Sequence, residues 1–414
     1  MKFIRNDYNI ADLVKNSKNK KLVLYGAGTA VSSYARIAVA ALSGLGLKPA
    51  FFIDDDEKRI GSHFLGCEIY PPKILENSTD HYLILISSNY FDSIANSLVY
   101  HKFKGDVYSL TPLLRNSKAE NYTNLMDYNE VLRRLHTHNA KLERINSESS
   151  SDRSLVFNAL DIEVTERCSM KCVDCSNLMQ YYKKPIDSDT NLLLSSLHKI
   201  FAAVDRIDDA RVLGGEPFMY RDLPVILNFL SEQSKAPRVT VYSNGTFIPR
   251  DDILAALRHP KIEVEITDYD ELSRKHNEMV QCFTASGIRF ITHKPQNWTD
   301  SARIVINNKS DNELQKMFER CCVNDALTLL HGKLYHCPFS ANAYNLRAIV
   351  DDVTDYIDLI QVENVEQMRI MLNKFYYGKP FLSSCKHCLG RDFTQEIVKP
   401  AIQTKTAINI PNVF

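Results

Sequence analysis

Three cysteines lie close together in the middle of the chain. Cys168, Cys172 and Cys175 occupy the stretch CSMKCVDC. Three thiolates at this spacing can hold three irons of a cubane iron-sulfur cluster, whose fourth iron then accepts an exchangeable ligand. The same thiols could instead belong to a zinc site completed by a distant ligand, or could be buried in a core. The spacing alone leaves these alternatives open.

A second set of cysteines follows toward the end of the chain. It consists of Cys321, Cys322, Cys337, Cys385 and Cys388. A CxxC pair and two further thiols supply four ligands, the number that a closed metal site requires. Zinc and an auxiliary 4Fe-4S cluster fit this number equally well. Because five thiols compete for four places, either Cys321 or Cys322 is expected to be a bystander.

Two short polar motifs occur between the two sets. In LGGEPF, Gly214 and Gly215 allow close backbone approach, and Glu216 supplies a carboxylate that suits the head of an amino acid. In YSNGT, Ser243 and Asn244 can bond a ribose or a carboxylate. Each motif is also compatible with an ordinary turn. Both motifs directly follow a strand-like run, which favours a functional interpretation.

The elements that position these motifs form a repeating pattern. Strand-like runs begin near residues 160, 210, 238, 261 and 287, and helical patterns separate them. This alternation predicts parallel strands that close toward a barrel, with the active site at their carboxyl ends. Further substrate-contact candidates follow the later strands: Asp268, Tyr269, His293, Lys294 and Trp298.

The CxxxCxxC loop, GGEP and SNG, each after one of three successive strands, resemble the radical S-adenosylmethionine enzymes. The resemblance implies a partial (β/α)6 barrel over residues 156–310. It assigns Cys168, Cys172 and Cys175 to a 4Fe-4S cluster and residues 214–217, ending in Pro217, to the methionine amine. It also assigns Ser243 and Asn244 to the ribose or carboxylate. Asp174 stands where many members have an aromatic residue beside the adenine.

The resemblance also implies a reaction. S-adenosylmethionine is reductively cleaved to a 5′-deoxyadenosyl radical, which abstracts hydrogen from a second substrate. A flavodoxin- or ferredoxin-type protein is the expected electron donor. We expect a sugar-like small molecule, namely a carbohydrate, nucleotide-sugar or aminocyclitol, to be oxidised or epimerised. The alternatives are a radical enzyme that modifies a ribosomally made peptide, and a non-catalytic scaffold that binds zinc and a nucleotide-sugar.

The C-terminal region, residues 311–414, is similar to the shortened auxiliary-cluster extensions called SPASM or twitch domains. The similarity rests on a cysteine, the stretch GKLYHCP and the later CxxC. It implies that the second set of cysteines holds iron and sulfur, and that the auxiliary cluster accepts an electron from the substrate.

The N-terminal region has a different pattern. The runs LVLY, FFIDDD, YLILISSN and DVYSL alternate with helical stretches and predict a Rossmann-like doubly wound domain over residues 1–115. Gly26 and Gly28 could admit a pyrophosphate, and Asp54 could bond a ribose hydroxyl. The segment resembles small domains attached to sugar acetyltransferases and methyltransferases, which implies a bound nucleotide or nucleotide-sugar. A domain that only mediates assembly is the alternative. Residues 116–155 are predicted as a helical linker.

Composition limits the other function classes. The chain has 414 residues, with 50 Lys and Arg against 50 Asp and Glu, so no net charge favours nucleic acid or an anionic membrane. No apolar run is long enough to span a bilayer, and the first residues lack the apolar stretch of a signal peptide. We therefore expect a cytoplasmic protein, in which clustered cysteines are metal ligands before they are disulfides.

Overall fold

The structure is a computed structural model. It describes residues 4–5, 8–27, 34–76, 81–88, 91–110, 112–113, 155–295, 298–319, 321, 323, 326–391 and 396–411. The chain divides into two compact units, residues 1–149 and 150–414. The predicted linker lies outside the described residues except for residue 155, and the division into four parts stays a prediction. Both units combine helices with largely parallel sheets, which confirms the α/β fold class.

The first unit is built on one sheet. Its described strands are β1 (Ile4–Arg5), β2 (Lys21–Tyr25), β3 (Phe51–Ile53), β4 (His63–Phe64), β5 (Cys67–Tyr70), β6 (Tyr82–Ile86) and β7 (Asp106–Ser109). They lie in the order β1-β7-β6-β2-β3-β5-β4. All described pairs are parallel except β4 with β5. The four strand runs predicted in this region are all present, whereas β1 and the β4-β5 hairpin were not predicted.

Helices cover both faces of this sheet. Leu22 and Leu24 point to one face and pack in a core with helix Tyr34–Gly44. Val23 and Tyr25 point to the other face and pack with helix Phe91–Tyr100. Successive side chains of a strand alternate between faces, so a strand that is apolar throughout needs cover on both sides. The apolar run at residues 22–25 therefore indicates a doubly wound sheet, and the structure has one.

The second unit contains the sheet that carries the cysteine loop. Its described strands are β8 (Val156–Thr165), β9 (Arg206–Gly214), β10 (Val239–Ser243), β11 (Ile262–Thr267), β12 (Phe290–His293), β13 (Trp298–Thr299), β14 (Ala326–Leu330), β15 (Lys333–Tyr335), β16 (Tyr356–Asp358) and β17 (Ile397–Val398). Its described helices are Thr190–Ala203, Leu223–Glu232, Asp251–Leu257, His276–Ser286, Asp311–Glu319, Pro338–Asn345 and Val365–Tyr377. The eight-stranded sheet has the order β12-β11-β10-β9-β8-β14-β15-β16.

Six strands of this sheet are parallel to one another. Strands β8 to β12 are the five predicted from the sequence, and each lies beside the next. The sixth, β14, does not follow β12 but pairs with the outer edge of β8, where Ala326 lies opposite Ala159. It comes from the region assigned to the cysteine-rich extension, and it turns near Gly332 into β15, with which it pairs antiparallel.

The two faces of this sheet differ in chemistry. On β8, Leu160, Ile162 and Val164 belong to the main apolar core of the unit, together with side chains of the flanking helices. The intervening residues Asp161 and Glu163 are buried on the opposite face. Polar groups are buried only when they find partners, so this face is suited to hold charged and hydrogen-bonding groups. Within the described residues, no helix is long and apolar enough to cross a membrane.

Candidate functional site

The loop after β8 brings the three predicted thiols together. Cys168, Cys172 and Cys175 pack in one small cluster with Met170. Burial, and to a smaller extent the neighbouring thiol of Cys175, raises the pKa of Cys172 to about 12. Burial also raises the pKa of Cys168, and Cys175 and Cys172 add to that rise. The fold therefore places the three side chains within electrostatic reach of one another.

Gly214 and Gly215 hold the end of β9 against the start of the cysteine loop. Gly214 has φ +137°, and a Cβ on it would lie 2.3 Å from the carbonyl oxygen of Thr165. A Cβ on Gly215 would lie 2.1 Å from the carbonyl oxygen of Arg167. Their backbone approach is used inside the protein, because Gly215 N donates to Thr165 O at 2.7 Å and Glu216 N donates to Arg167 O at 2.8 Å. The glycines thus anchor the loop.

Glu216 connects the two polar motifs. Its carboxylate is fully buried. It accepts hydrogen bonds from Asn244 N at 2.9 Å, from Ser243 Oγ at 3.1 Å and from Phe218 N at 3.2 Å. Burial raises the pKa of Glu216 to about 7, and the three donors oppose that rise. Pro217 begins the single turn Pro217–Met219 that this carboxylate caps.

Asn244 extends this network to the first thiol. Its Nδ2 lies 3.5 Å from Cys168 Sγ and 3.2 Å from Ser169 Oγ, and it donates to both. Its backbone carbonyl accepts a hydrogen bond from Ser273 Oγ at 2.6 Å. The GGEP motif, the SNG motif and the cysteine loop are therefore one connected unit. The assignment of Ser243 and Asn244 to the ribose or carboxylate of S-adenosylmethionine stays a prediction, as does that of Gly214, Gly215, Glu216 and Pro217.

The C-terminal segment crosses the cysteine loop, which sequence reasoning missed. Val173 N donates to Ile402 O at 2.7 Å, and Thr404 N donates to Lys171 O at 2.8 Å. Between these bonds, Gln403 Oε1 accepts from Lys171 N at 2.7 Å. The stretch AIQTKT has neither an apolar period nor a motif, so nothing in it indicates such a contact.

Two of the substrate-contact candidates lie beside the thiols. Tyr269 and Trp298 pack against the same cluster, with their ring centroids 6.1 Å apart and their planes at 82°. Asp268 and Lys294 instead pair with each other at 2.8 Å. His293 is largely exposed, and its Nδ1 lies 3.8 Å from Glu265. The aromatic pair is thus the part of the predicted set that the fold brings to the cysteines.

Asp174 is buried next to a cation. The nearest atom of its carboxylate lies 3.4 Å from Arg303 Nε, and Arg303 also contacts Asp300 at 3.1 Å. An aspartate with an arginine partner replaces the aromatic residue expected at this position. This departure makes the wall of the loop polar where family members have a ring.

The second set of cysteines surrounds a cavity. Cys321, Cys337, Cys385 and Cys388 all line it. Most of its other lining residues are apolar, namely Met317, Phe318, Val323, Phe339, Leu382 and Gly390, and Ser384 and Arg391 complete the lining. Cys322 lies outside the described residues. Among those that are described, no three His, Cys, Asp or Glu side chains are close enough to hold a single metal ion. The four thiols are related in that all of them line this cavity.

Three separate elements position these four thiols. The first is helix Asp311–Glu319, where Phe318 O accepts a hydrogen bond from Cys321 N at 3.1 Å. Cys337 begins helix Pro338–Asn345, and its Sγ accepts from Ser340 N at 3.3 Å. Cys385 and Cys388 flank the end of the turn Ser383–His387. The side chain of Asn307 donates to the carbonyls of both, at 2.8 Å each. Burial raises the pKa of Cys337 to about 12 and that of Cys385 well above its usual value.

Arg391 lies between the two sets. It lines the cavity, and its Nη2 donates to Ser176 O at 2.6 Å, one residue after the third thiol of the loop. Burial dominates the pKa values of Cys175 and Cys337, raising both, and the positive charge of Arg391 opposes both rises. One guanidinium therefore acts on both groups of thiols.

In the first unit, Gly26 is required by packing. It has φ +102°, and a Cβ would lie 2.7 Å from Ser88 Cβ and 3.2 Å from Ser87 O. Ser87 Oγ donates to its carbonyl at 2.7 Å. Gly28 lies outside the described residues, so the predicted glycine pair is described only in part.

The carboxylate of Asp54 is already hydrogen-bonded within the protein. It accepts from Ala27 N at 2.9 Å and pairs with Arg59 at 3.2 Å. Asp54 therefore holds the backbone at Ala27, just after β2, which is a role the sequence did not indicate. Its predicted bond to a ribose stays a prediction.

Comparison with known proteins supports the superfamily that the motifs indicate. No protein-family model matches the chain. A GTP 3',8-cyclase from Campylobacter jejuni is 27% identical over 140 residues, which cover 32% of this chain and 42% of that protein. One from Clostridium acetobutylicum is 25% identical over 123 residues, which cover 28% of this chain and 38% of that protein. This chain thus spans about two fifths of the curated relatives it matches.

Solved structures show a weaker likeness. BtrN in complex with AdoMet and 2-DOIA is 17% identical, with a TM-score of 0.38, over 62% of this chain and 98% of that chain. Streptococcus suis SuiB is 15% identical, with a TM-score of 0.28, over 56% of this chain and 47% of that chain. GTP 3',8-cyclases belong to the radical S-adenosylmethionine superfamily, so this similarity supports the predicted superfamily. The SPASM or twitch and Rossmann-like resemblances stay predictions.

Proposed function

We propose that this protein is a radical S-adenosylmethionine enzyme that abstracts hydrogen from a carbohydrate, nucleotide-sugar or aminocyclitol and thereby oxidises or epimerises it. The observation that carries the proposal is the connected unit of the cysteine loop, GGEP and SNG. Its three thiols cluster after β8, and Asn244 and Glu216 join the loop to the two motifs that follow the next two strands.

Cys168, Cys172 and Cys175 would hold the first 4Fe-4S cluster. Their donor set fits such a group, because thiolates are its usual ligands and N–H donors reach their sulfurs. When bound, the cluster and S-adenosylmethionine supply the 5′-deoxyadenosyl radical. The residues of the chain fix the loop through the backbone bonds at Gly215 and Glu216, so that the thiols keep their mutual spacing.

The face of the eight-stranded sheet that lies opposite its apolar core favours a polar substrate. Glu263 and Glu265 of β11 and Asp161 of β8 are buried there, and Arg211 pairs with Asp161 at 2.6 Å. Buried charged and hydrogen-bonding groups match hydroxyls or amines better than an apolar substrate. Tyr269 and Trp298 supply flat apolar surface beside the thiols, which suits the face of a sugar or cyclitol ring.

The second set of thiols would hold an auxiliary 4Fe-4S cluster. The support is the shared cavity lined by Cys321, Cys337, Cys385 and Cys388, which supplies the four ligands that such a cluster takes. An auxiliary cluster can accept the electron of a substrate radical, so we favour two-electron oxidation. Zinc is the alternative metal that the same thiols could bind, and it would leave the electron of the substrate radical without an acceptor.

The first unit would recognise the nucleotide part of the substrate. The support is a parallel sheet covered on both faces, in which Gly26 and Asp54 follow neighbouring strands β2 and β3 at their carboxyl ends. Deleting residues 1–115 should leave formation of 5′-deoxyadenosine largely intact and lower turnover of the substrate. Equal turnover would show that this unit does not recognise substrate.

The test of the main proposal is the loss of 5′-deoxyadenosine. In anaerobically reconstituted protein with dithionite, the joint replacement of Cys168, Cys172 and Cys175 by alanine should abolish its formation. Cys282→Ala is the matched control, since Cys282 is a partly buried cysteine that packs against the apolar core. An unchanged yield in the triple variant would refute the assignment of the three ligands.

A further inference from the structure

The side chain of Gln403 connects the C-terminal segment to a thiol of the first site. Its Nε2 donates to Cys172 Sγ at 3.2 Å and to Ala401 O at 2.8 Å. Its Oε1 accepts from Lys171 N at 2.7 Å. Both ends of the carboxamide are therefore occupied, although the outer side of the residue is exposed. The amide is held in one orientation, with its N–H group toward the sulfur.

The backbone on either side fixes this arrangement. The pairs of Val173 with Ile402 and of Lys171 with Thr404 hold the segment against the loop like a short antiparallel strand. Ala401 is buried in the cluster of thiols, and its φ of +57° is one that residues other than glycine rarely adopt. Packing against the loop is what maintains that conformation.

Each thiol of the loop receives N–H donors. Asn244 Nδ2 reaches Cys168, and the backbone amides of residues 177 and 179 hydrogen-bond Cys175. Gln403 follows the second set of cysteines in the chain, and its side chain supplies an N–H donor to Cys172. The loop is thus completed by a segment more than two hundred residues away in sequence.

We propose that Gln403 is a positioning residue that acts through Cys172 on the first cluster. This inference rests on the proposed function. A hydrogen bond to a ligand sulfur stabilises the reduced cluster, which carries more negative charge, and so raises its reduction potential. The bond to Lys171 N keeps the backbone of the loop in place while the N–H group acts on the sulfur.

The test is a redox titration of the reconstituted full chain, monitored by electron paramagnetic resonance. The signal to monitor is the one that changes when S-adenosylmethionine is added. Gln403→Glu keeps an acceptor for Lys171 N and loses the N–H donor. Gln403→Leu removes the donor without adding charge. Both should keep the iron content of the wild type and shift the midpoint potential to more negative values, the glutamate variant further because of its charge.

Thr404→Val is the matched control. Its backbone pair with Lys171 is retained, and the hydroxyl that is lost donates to Thr406 O. An unchanged potential in this variant, with shifts in both Gln403 variants, supports the proposal. Unchanged potentials in the Gln403 variants at full iron content overturn it, as does an equal shift in Thr404→Val. A wild-type chain that binds no iron overturns the proposed function itself.

Discussion

The two groups of cysteines are built in different ways. The first lies on one loop whose backbone is fastened to the carboxyl end of β9 and to the C-terminal segment, and two aromatic rings lie beside it. The second is assembled from three separate elements around a largely apolar cavity. Three thiols leave a coordination position for a substrate, whereas four thiols close a site. Under the proposed function, the first group is the reactive centre and the second supports it.

The largest expected effect that distinguishes the two groups should come from removing thiols of the second group. Joint replacement of Cys385 and Cys388 by alanine should lower the iron content by about four atoms, the number in one cubane cluster. Formation of 5′-deoxyadenosine should persist, while oxidised substrate should no longer form. The measurements are iron analysis and product chromatography. If 5′-deoxyadenosine disappeared as well, the two groups would not have separate roles.

A methyl group at Gly215 should damage the first group alone. The added Cβ would lie 2.1 Å from Arg167 O, so the backbone must shift, at a cost of about 1–3 kcal/mol in the free energy of unfolding. Thermal unfolding and iron content measure the effect. Gly287→Ala is the control: its φ of +66° is strained but no atom lies within 4 Å, so we expect about 1 kcal/mol and full iron. Equal iron loss in both variants would contradict the anchoring role.

Glu216 should make the stability of the metal-free protein depend on pH. Its pKa rises from 4.5 to about 7 in the folded state, so the folded state binds the proton more tightly than the unfolded state does. Stability should therefore fall as pH rises through the interval from 4.5 to about 7, by up to about 3 kcal/mol. Denaturant unfolding at pH 5, 6, 7 and 8 measures this. A Glu216→Gln variant with the same pH dependence would show that another group is responsible.

The smallest expected effect comes from replacing Arg391, which lies between the two groups of cysteines. Arg391→Gln removes a positive charge near Cys175 and Cys337, so the reduction potentials of both clusters should become more negative. Arg391→Lys keeps the charge and should shift them less. Redox titration monitored by paramagnetic resonance distinguishes the variants. A shift in one cluster only would mean that Arg391 does not connect the groups.

The sequence predicted what depends on local pattern. The apolar runs of β8 to β12 and the spacing of Cys168, Cys172 and Cys175 were sufficient to locate the sheet and its loop. The polar face of the sheet could also have been predicted, because Asp161 and Glu163 alternate with apolar residues in the sequence of β8.

Contacts between distant segments were not predictable in this way. The pairing of β14 with β8 and the passage of residues 401–404 over the loop depend on tertiary packing, which leaves no period in a single sequence. Gly215 was expected to allow close backbone approach, and its amide donates to the carbonyl of Thr165. A glycine required for close approach does not reveal by its identity what approaches it.

The most direct test of the central claim is metal and sulfide analysis of anaerobically purified full-length chain, combined with a search for 5′-deoxyadenosine after addition of S-adenosylmethionine and dithionite. The account predicts iron and acid-labile sulfide in equal amounts, about four of each per cluster, and formation of 5′-deoxyadenosine. Zinc without iron and sulfide, and intact S-adenosylmethionine, would contradict it.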